Sequence, residues 1–423
     1  MRRGLAASAA ALALLGAGAT TADAANPSYV VVLRGGDAQA VERATGVSAE
    51  HRYAAALKGF SARLSGPQLA RMRARPDVDY VVPDVTFTAA SMQPVLAGET
   101  VPPGIRRVQA ASLTEAHLAA DPAVAVLDTG VDLANADLNA VSGKNCVSTT
   151  AGALAKDDNG HGTNVAGILA ARDNGAVVTG VAPGTRIVSV KVLNSKSSGT
   201  LSQILCGIDW VTANAAAWNI RVANMSIVGA GKDDGNCGYT NKDVEHQAIC
   251  RSTAAGVTYV AAAGNSKTSF ASTIPAAYQE VLTATAISDS DGLPGARGRA
   301  PSCKSGEADD KYGSYSNYAA GTAAIAHTLA APGTCIVSDR MGGGTSTYYG
   351  TSQAAPHLAG TVALCIGNGG VAGPCSGLAP AAVIARVRSD SAAAAALTNG
   401  FAGDPLRPVT GKYFGYLATA AGY

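Results

Sequence analysis

Ala123-Val124-Ala125-Val126-Leu127-Asp128-Thr129-Gly130-Val131 is an unbroken apolar run that stops at an acid and a glycine. A strand covered by helices on both faces reads this way, because neither face needs polar residues. Four more runs share the pattern: Ile187 to Leu193, Val222 to Ile227, Val257 to Ala263 and Val281 to Ala286. Between them lie helical stretches, His161 to Arg172, Ser202 to Ala217, Lys242 to Ala255 and Ser352 to Ile366. This alternation predicts an α/β fold, a parallel sheet flanked by helices on both faces. Ligands of such sheets bind outside the carboxyl ends of the strands. Asp128 falls at such an end.

Two further stretches carry chemistry: Asn159-Gly160-His161-Gly162-Thr163 and Gly350-Thr351-Ser352-Gln353-Ala354-Ala355-Pro356-His357. With the first they supply acid, base and nucleophile in the chain order Asp, His, Ser, distinct from two other common orders. A serine hydroxyl attacks a peptide carbonyl poorly unless a base takes its proton and donors hold the oxyanion. Ser352 is the predicted nucleophile, at a helix start where N–H groups and the dipole favour negative charge. Gly350 lets the backbone approach a substrate closely. His161 is the predicted base, then acid to the leaving amine. Asp128 would fix its tautomer. Taken singly, Asp128 is an ordinary strand-end carboxylate, His161 a structural histidine and Ser352 an N-cap. Aspartic peptidases need two Asp-Thr/Ser-Gly motifs sharing a proton; this chain has one.

The three stretches together resemble the subtilisin-like serine peptidases, and the resemblance runs from about Tyr29 to the C-terminus. It implies Asn265, in Ala261-Ala262-Ala263-Gly264-Asn265-Ser266, as the oxyanion donor beside the Ser352 N–H. It implies an extended substrate between Ser226-Ile227-Val228-Gly229 and Ala262-Ala263-Gly264, held by main-chain bonds with pockets for side chains. The implied protein is a secreted, monomeric serine endopeptidase acting on proteins and peptides and needing no cofactor for its chemistry. A ligase would use the same residues with water excluded, and the sequence leaves that alternative open. A non-catalytic binding relative would lack a triad member, and none is missing.

Several residues depart from the family pattern. Val228 stands where the family has Gly, so smallish apolar side chains are expected before the scissile bond. Gln353 replaces the usual Met beside the nucleophile, and an amide cannot become a sulfoxide, so peroxide tolerance is expected. Thr328 replaces an Asp often found before Ala331-Pro332-Gly333 and is read as structural. His357 resembles the family's packing histidine. His51, His117, His246 and His327 are read as incidental. Structural calcium is common in the family, and Asp289 and Asp291 are candidate ligands, but Asp-rich turns are more often just solvated and the sequence leaves the metal open. Asn224-Met225-Ser226 is a glycosylation sequon by pattern, discounted as part of a buried strand.

The chain has 423 residues, enough for a large core and more than one folding unit. Its net charge of +2 is too small to point to nucleic acid or an anionic membrane. Arg2 and Arg3, then apolar Leu5 to Gly18, then Ala22-Asp23-Ala24 read as an export signal over residues 1–24. Eight cysteines in an exported chain read as disulfides. The expected pairs are nearest neighbours: Cys146–Cys206, Cys237–Cys250, Cys303–Cys335 and Cys365–Cys375. A zinc cluster is disfavoured because no CxxC pair occurs.

Residues 25–90 read as a separate module. Tyr29 to Leu33, Gly59 to Leu64 and Val78 to Val82 are strand-like, and Asp37 to Thr45 is helical. Ser65, Pro67 and Gln68 form a helix start with a capping box. The β-α-β-β-α-β order predicts a small ferredoxin-like α+β unit. It resembles the inhibitory propeptide of the same family, with Thr86 to Val101 as the exposed junction and residues 91–423 as the peptidase domain. The segment Gly292 to Gly313 is expected as a long surface loop stapled by Cys303.

Overall fold

The computed structural model describes residues 26–53, 58–83, 93–397 and 399–423. The expected export signal and residues 86–92 of the junction lie outside the described residues. The chain divides into two compact units at residues 89 and 90.

The first unit is a four-stranded antiparallel sheet of β1 (Ser28–Leu33), β2 (His51–Tyr53), β3 (Gly59–Arg63) and β4 (Val78–Pro83), in the order β2-β3-β1-β4. Helix α1 (Ala38–Thr45) starts at Asp37, whose carboxylate accepts the Gln39 N–H at 3.0 Å. Helix α2 (Gly66–Arg73) starts at the Ser65–Gln68 capping box, where the Ser65 N–H reaches Gln68 Oε1 at 2.9 Å. Buried Val31, Phe60, Leu64, Met72 and Val81 form its core. Of its strands, β2 carried no apolar signal; it forms because β3 offers an edge.

In the second unit, β5 (Ala123–Asp128) lies between β7 (Arg186–Lys191) and β8 (Ile220–Met225) in a largely parallel sheet. On one side β7 pairs β6 (Asn139–Asn145). On the other follow β9 (Thr258–Ala262), β10 (Val281–Ser288) and a pairing of β10 with β12 (Thr328–Pro332). The short β11 (Lys311–Tyr312) joins β10 antiparallel. Residues of β5 alternate between two cores, as a period of two requires. Val124 and Val126 pack with Val165 and Leu169 of α3 (His161–Ala170) and Leu358 of α6 (Thr351–Ile366). Ala125 and Leu127 pack with Ile204 and Ile208 of α4 (Leu201–Asn214) and with Ile249 of α5 (Val244–Ala254). Almost every residue of α6 is buried, as in a helix enclosed on all sides. A last helix, α7 (Pro380–Leu397), packs through Val383 and Val387 onto the same core as α6.

The cysteines join in the expected four pairs, with Cα separations of 5.9, 6.0, 5.6 and 5.1 Å in chain order. No cysteine among the described residues remains to build a metal cluster. The Gly292 to Gly313 segment is less superficial than its composition implies. It carries buried Glu307, Asp309 and Asp310, and Asp310 bonds the fully buried Arg107 at 2.7 Å. Among the described residues no helix is long and apolar enough to cross a membrane.

Candidate active site

Asp128 ends β5 at its carboxyl edge, flanked there by β7 and β8. Its side chain is fully buried, and one carboxylate oxygen accepts the Thr129 N–H at 2.7 Å. The same oxygen lies 2.8 Å from His161 Nδ1. The second oxygen has no hydrogen-bond partner among the described residues. Lys191 anchors the loop after the strand by donating to Thr129 O at 2.5 Å and Leu193 O at 2.8 Å.

His161 opens α3, and the turn before it is held by a residue the sequence reading passed over. Asp157 accepts the Thr129 hydroxyl at 2.8 Å and the Gly160 N–H at 3.0 Å on one oxygen. Its other oxygen accepts the Thr163 hydroxyl at 2.5 Å. Burial opposes this charge, but the donors win and hold the Asp157 carboxyl below its usual range. A Cβ on Gly162 would overlap the Gly130 carbonyl oxygen, so only glycine lets α3 approach the strand end. The imidazole is 21% exposed. Burial alone would lower its pKa; the charge and hydrogen bond of Asp128 outweigh that and raise it.

Ser352 is the second residue of α6, half-buried, with Gly350 as N-cap. Its Oγ donates to the Ser226 carbonyl at 3.2 Å. Ser226 Oγ in turn donates to the Ser352 carbonyl at 2.8 Å. That carbonyl is free because Pro356, four residues on, has no N–H to offer it. This pairing was not legible beforehand. Asn224, fully buried in β8, donates to Ser226 Oγ at 3.0 Å, so the sequon lies inside the sheet.

Asn265 follows β9 and is exposed. Its Oδ1 accepts the Thr351 N–H at 2.9 Å and the Thr351 hydroxyl at 3.0 Å. Nδ2 is thereby left to donate elsewhere, and a Cβ on Gly350 would sit 3.2 Å from it. Gln353 is buried beside Ser352 and donates to Asn164 Oδ1 at 3.4 Å. His357 is fully buried, its Nδ1 2.8 Å from Gln353 O, and burial drops its pKa to about 4. It packs α6 and faces no cleft.

His161 and Ser352 line two recesses. One, of about 520 Å³, runs along Ser226–Ala230. The other, of about 390 Å³, is bounded by Asn265, Tyr348, Tyr349 and Cys303. Val228 is 56% exposed on the first. Ala262, Ala263 and Gly264 are fully buried or nearly so and line neither.

The candidate calcium ligands Asp289 and Asp291 lie together in an acidic cluster. Asp289, Asp291 and Asp309 bring carboxylate oxygens within 4.8 Å of one another. Yet Arg107 Nε lies 2.8 Å from Asp289 Oδ2. Asp309 already accepts the Ser290 and Gly298 N–H groups at 2.8 and 2.7 Å. The Arg107 guanidinium already offsets the charge of Asp289 and of neighbouring Asp310.

An imidazole oriented by a buried carboxylate, with a serine on the same cleft wall, is equipment for acyl transfer, and the class is a serine hydrolase acting on peptide bonds. The chain belongs to the subtilase family, whose profile matches residues 119–371. A peptidase inhibitor I9 profile matches residues 23–90. The chain is 33% identical over 340 residues to alkaline serine protease ver112 of Corniculantispora psalliotae, covering 78% of this chain and 77% of that one. It is 34% identical over 272 residues to subtilisin DY of Bacillus licheniformis, covering 63% and 85%. The crystal structure of a cold adapted subtilisin-like serine proteinase matches with a TM-score of 0.53 at 27% identity, covering 76% of this chain and all of that one.

Proposed function

We propose that this chain is an exported serine endopeptidase made as a self-processing zymogen, with Asp128, His161 and Ser352 as its triad. The observation that carries the reading is that His161, bonded to Asp128, and Ser352 line recesses on two sides, so a peptide can continue past the reacting bond in both directions. An extended substrate along Ser226–Ala230 would claim the Ser226 carbonyl for its own N–H. That releases the Ser352 hydroxyl to His161 Nε2; catalytic hydrogen bonds commonly tighten only when substrate binds. Ser352 Oγ then attacks the carbonyl carbon and His161 takes the proton. Asn265 Nδ2 and the Ser352 N–H hold the oxyanion. His161 returns the proton to the leaving amine, and water, deprotonated by the same imidazole, hydrolyses the acyl-enzyme. Activity belongs at neutral to alkaline pH, where the imidazole is neutral. Residues 25–90 would inhibit until cut away, leaving the peptidase domain, and four disulfides accord with export.

The test compares secreted masses of wild type and Ser352→Ala. Wild type should lack the first unit while the variant keeps it. Identical cutting of both would assign maturation to another protease. No cutting of either would make the first unit a permanent domain and overturn the zymogen reading.

A further inference from the structure

The larger recess beside Ser352 holds a carboxyl group that the chemistry above does not use. Glu245, in the first turn of α5, lines it together with Leu193, Leu201, Ile204, Ile227 and Ile274. Glu245 is only 6% exposed, and its carboxylate has no hydrogen-bond or ion-pair partner among the described residues. Buried carboxylates ordinarily carry partners, because an unpaired one loses its hydration without return. The α5 N-terminus favours an acid, but an exposed side chain would serve that purpose equally well. Burial pushes the carboxyl up to about 7; Asp243 adds to the shift and His246 opposes it.

The other five side chains are aliphatic. Ser197, Ser198, Ser226, Ser352 and His161 also line the recess, and Glu245 is the one carboxylate in its wall. Such a lining suits a side chain with a long methylene stem and a cationic head. A leucine there would leave the carboxylate unpaired, whereas Lys or Arg would supply the missing donor and charge. Ala262, Ala263 and Gly264, the second wall expected beside the scissile bond, take no part in this recess. Its occupant is therefore a different substrate residue, further along the strand that pairs with Ser226–Ala230.

We propose that Glu245 makes this recess a subsite for a lysine or arginine of the substrate, away from the residue next to the scissile bond and on its acyl side. The proposal rests on the endopeptidase reading and names part of its substrate class. Acyl-side preference would then combine a small apolar residue at the cut with a basic residue further upstream.

The experiment uses the mature enzyme and a positional library of internally quenched peptides. Lys, Arg, norleucine and Leu are compared at each acyl-side position; norleucine keeps the stem and removes the charge. Wild type should favour Lys over norleucine by at least about tenfold in kcat/KM at one upstream position. Glu245→Gln should bring that ratio close to one. Wild type that cleaves the library with no basic preference upstream overturns the proposal without touching the endopeptidase reading. A preference that survives Glu245→Gln overturns it too, because the charge then lies elsewhere. No cleavage of any peptide would instead refute the endopeptidase reading. Should Glu245→Gln fail to accumulate, Glu245→Leu gives the same comparison, and the wild-type profile alone can still reject the idea.

Discussion

Replacing Ser226 by alanine probes how α6, the helix that carries Ser352, tolerates a proline. Pro356 withholds the N–H that would meet the Ser352 carbonyl, and Ser226 Oγ supplies the donor instead at 2.8 Å. Ser226 is 4% exposed, and its loss also strips Asn224 Nδ2 of an acceptor 3.0 Å away. Leaving a buried polar group unpaired costs about 1–3 kcal/mol. The Ser352 carbonyl is half-buried, so roughly 1–2 kcal/mol belongs to it, with about 1 kcal/mol more for the amide. Pro356→Ala restores an intrahelical N–H to the same carbonyl. In that background Ser226→Ala should cost only the amide's share, a coupling of about 1–2 kcal/mol. The assay is the rate of unfolding in guanidinium, which stays defined even where refolding is incomplete. Each variant also carries Ser352→Ala, which stops self-digestion and keeps the backbone carbonyl. Ser226→Ala should speed unfolding by roughly 5–30-fold more with Pro356 present than without it. An equal effect in both backgrounds would refute the account of why this pair exists.

Asn265→Ala should fold normally and lose about 10²–10³ in kcat, a loss already set by the equivalent donor in subtilisin, a relative, rather than worked out from this structure; peptide hydrolysis near the wild-type rate would remove Asn265 from the oxyanion site. The acid limb of kcat/KM should lie above the ordinary histidine value of 6.5, since His161 must lose its proton and Asp128 raises its pKa against burial. Activity is thus lost as pH falls through that raised value, and a pH–rate profile with its limb below 6.5 would contradict the electrostatics. Wild type should keep its activity in dilute peroxide while Gln353→Met loses it, measured as residual turnover over time; rapid inactivation of wild type would place the oxidisable group elsewhere.

Much of the site was legible because each motif acts on its own backbone. A run such as Ala123–Leu127 forms a buried strand whatever its partners, and the acid that ends it must appear at the carboxyl edge. Ser65 and Gln68 cap a helix through atoms three residues apart. Boundaries were less secure. The strand expected over Val222 to Ile227 ends at Met225, because Ser226 turns its polar groups to Ser352 rather than to a ladder. β6, Asn139-Ala140-Val141-Ser142-Gly143-Lys144-Asn145, showed no apolar run, since an outer strand of the sheet is buried less completely. The acidic cluster at Asp289 and Asp291 gave no local sign of its cationic neighbour, since Arg107 reaches Asp289 and Asp310 from a distant part of the chain.

The sequence by itself determined the class of sheet and the chain order of Asp128, His161 and Ser352, because these follow from composition and motif position; it allowed about 105 cysteine pairings, and the fold selected the nearest-neighbour set. Only the tertiary structure decided that Ser226 answers the carbonyl freed by Pro356, that Asp157 holds the turn before His161, and that Glu245 lines the recess beside Ser352. Those relations join groups from separate strands, turns and helices. Sheet register and helix packing set their distances, and no local pattern encodes them.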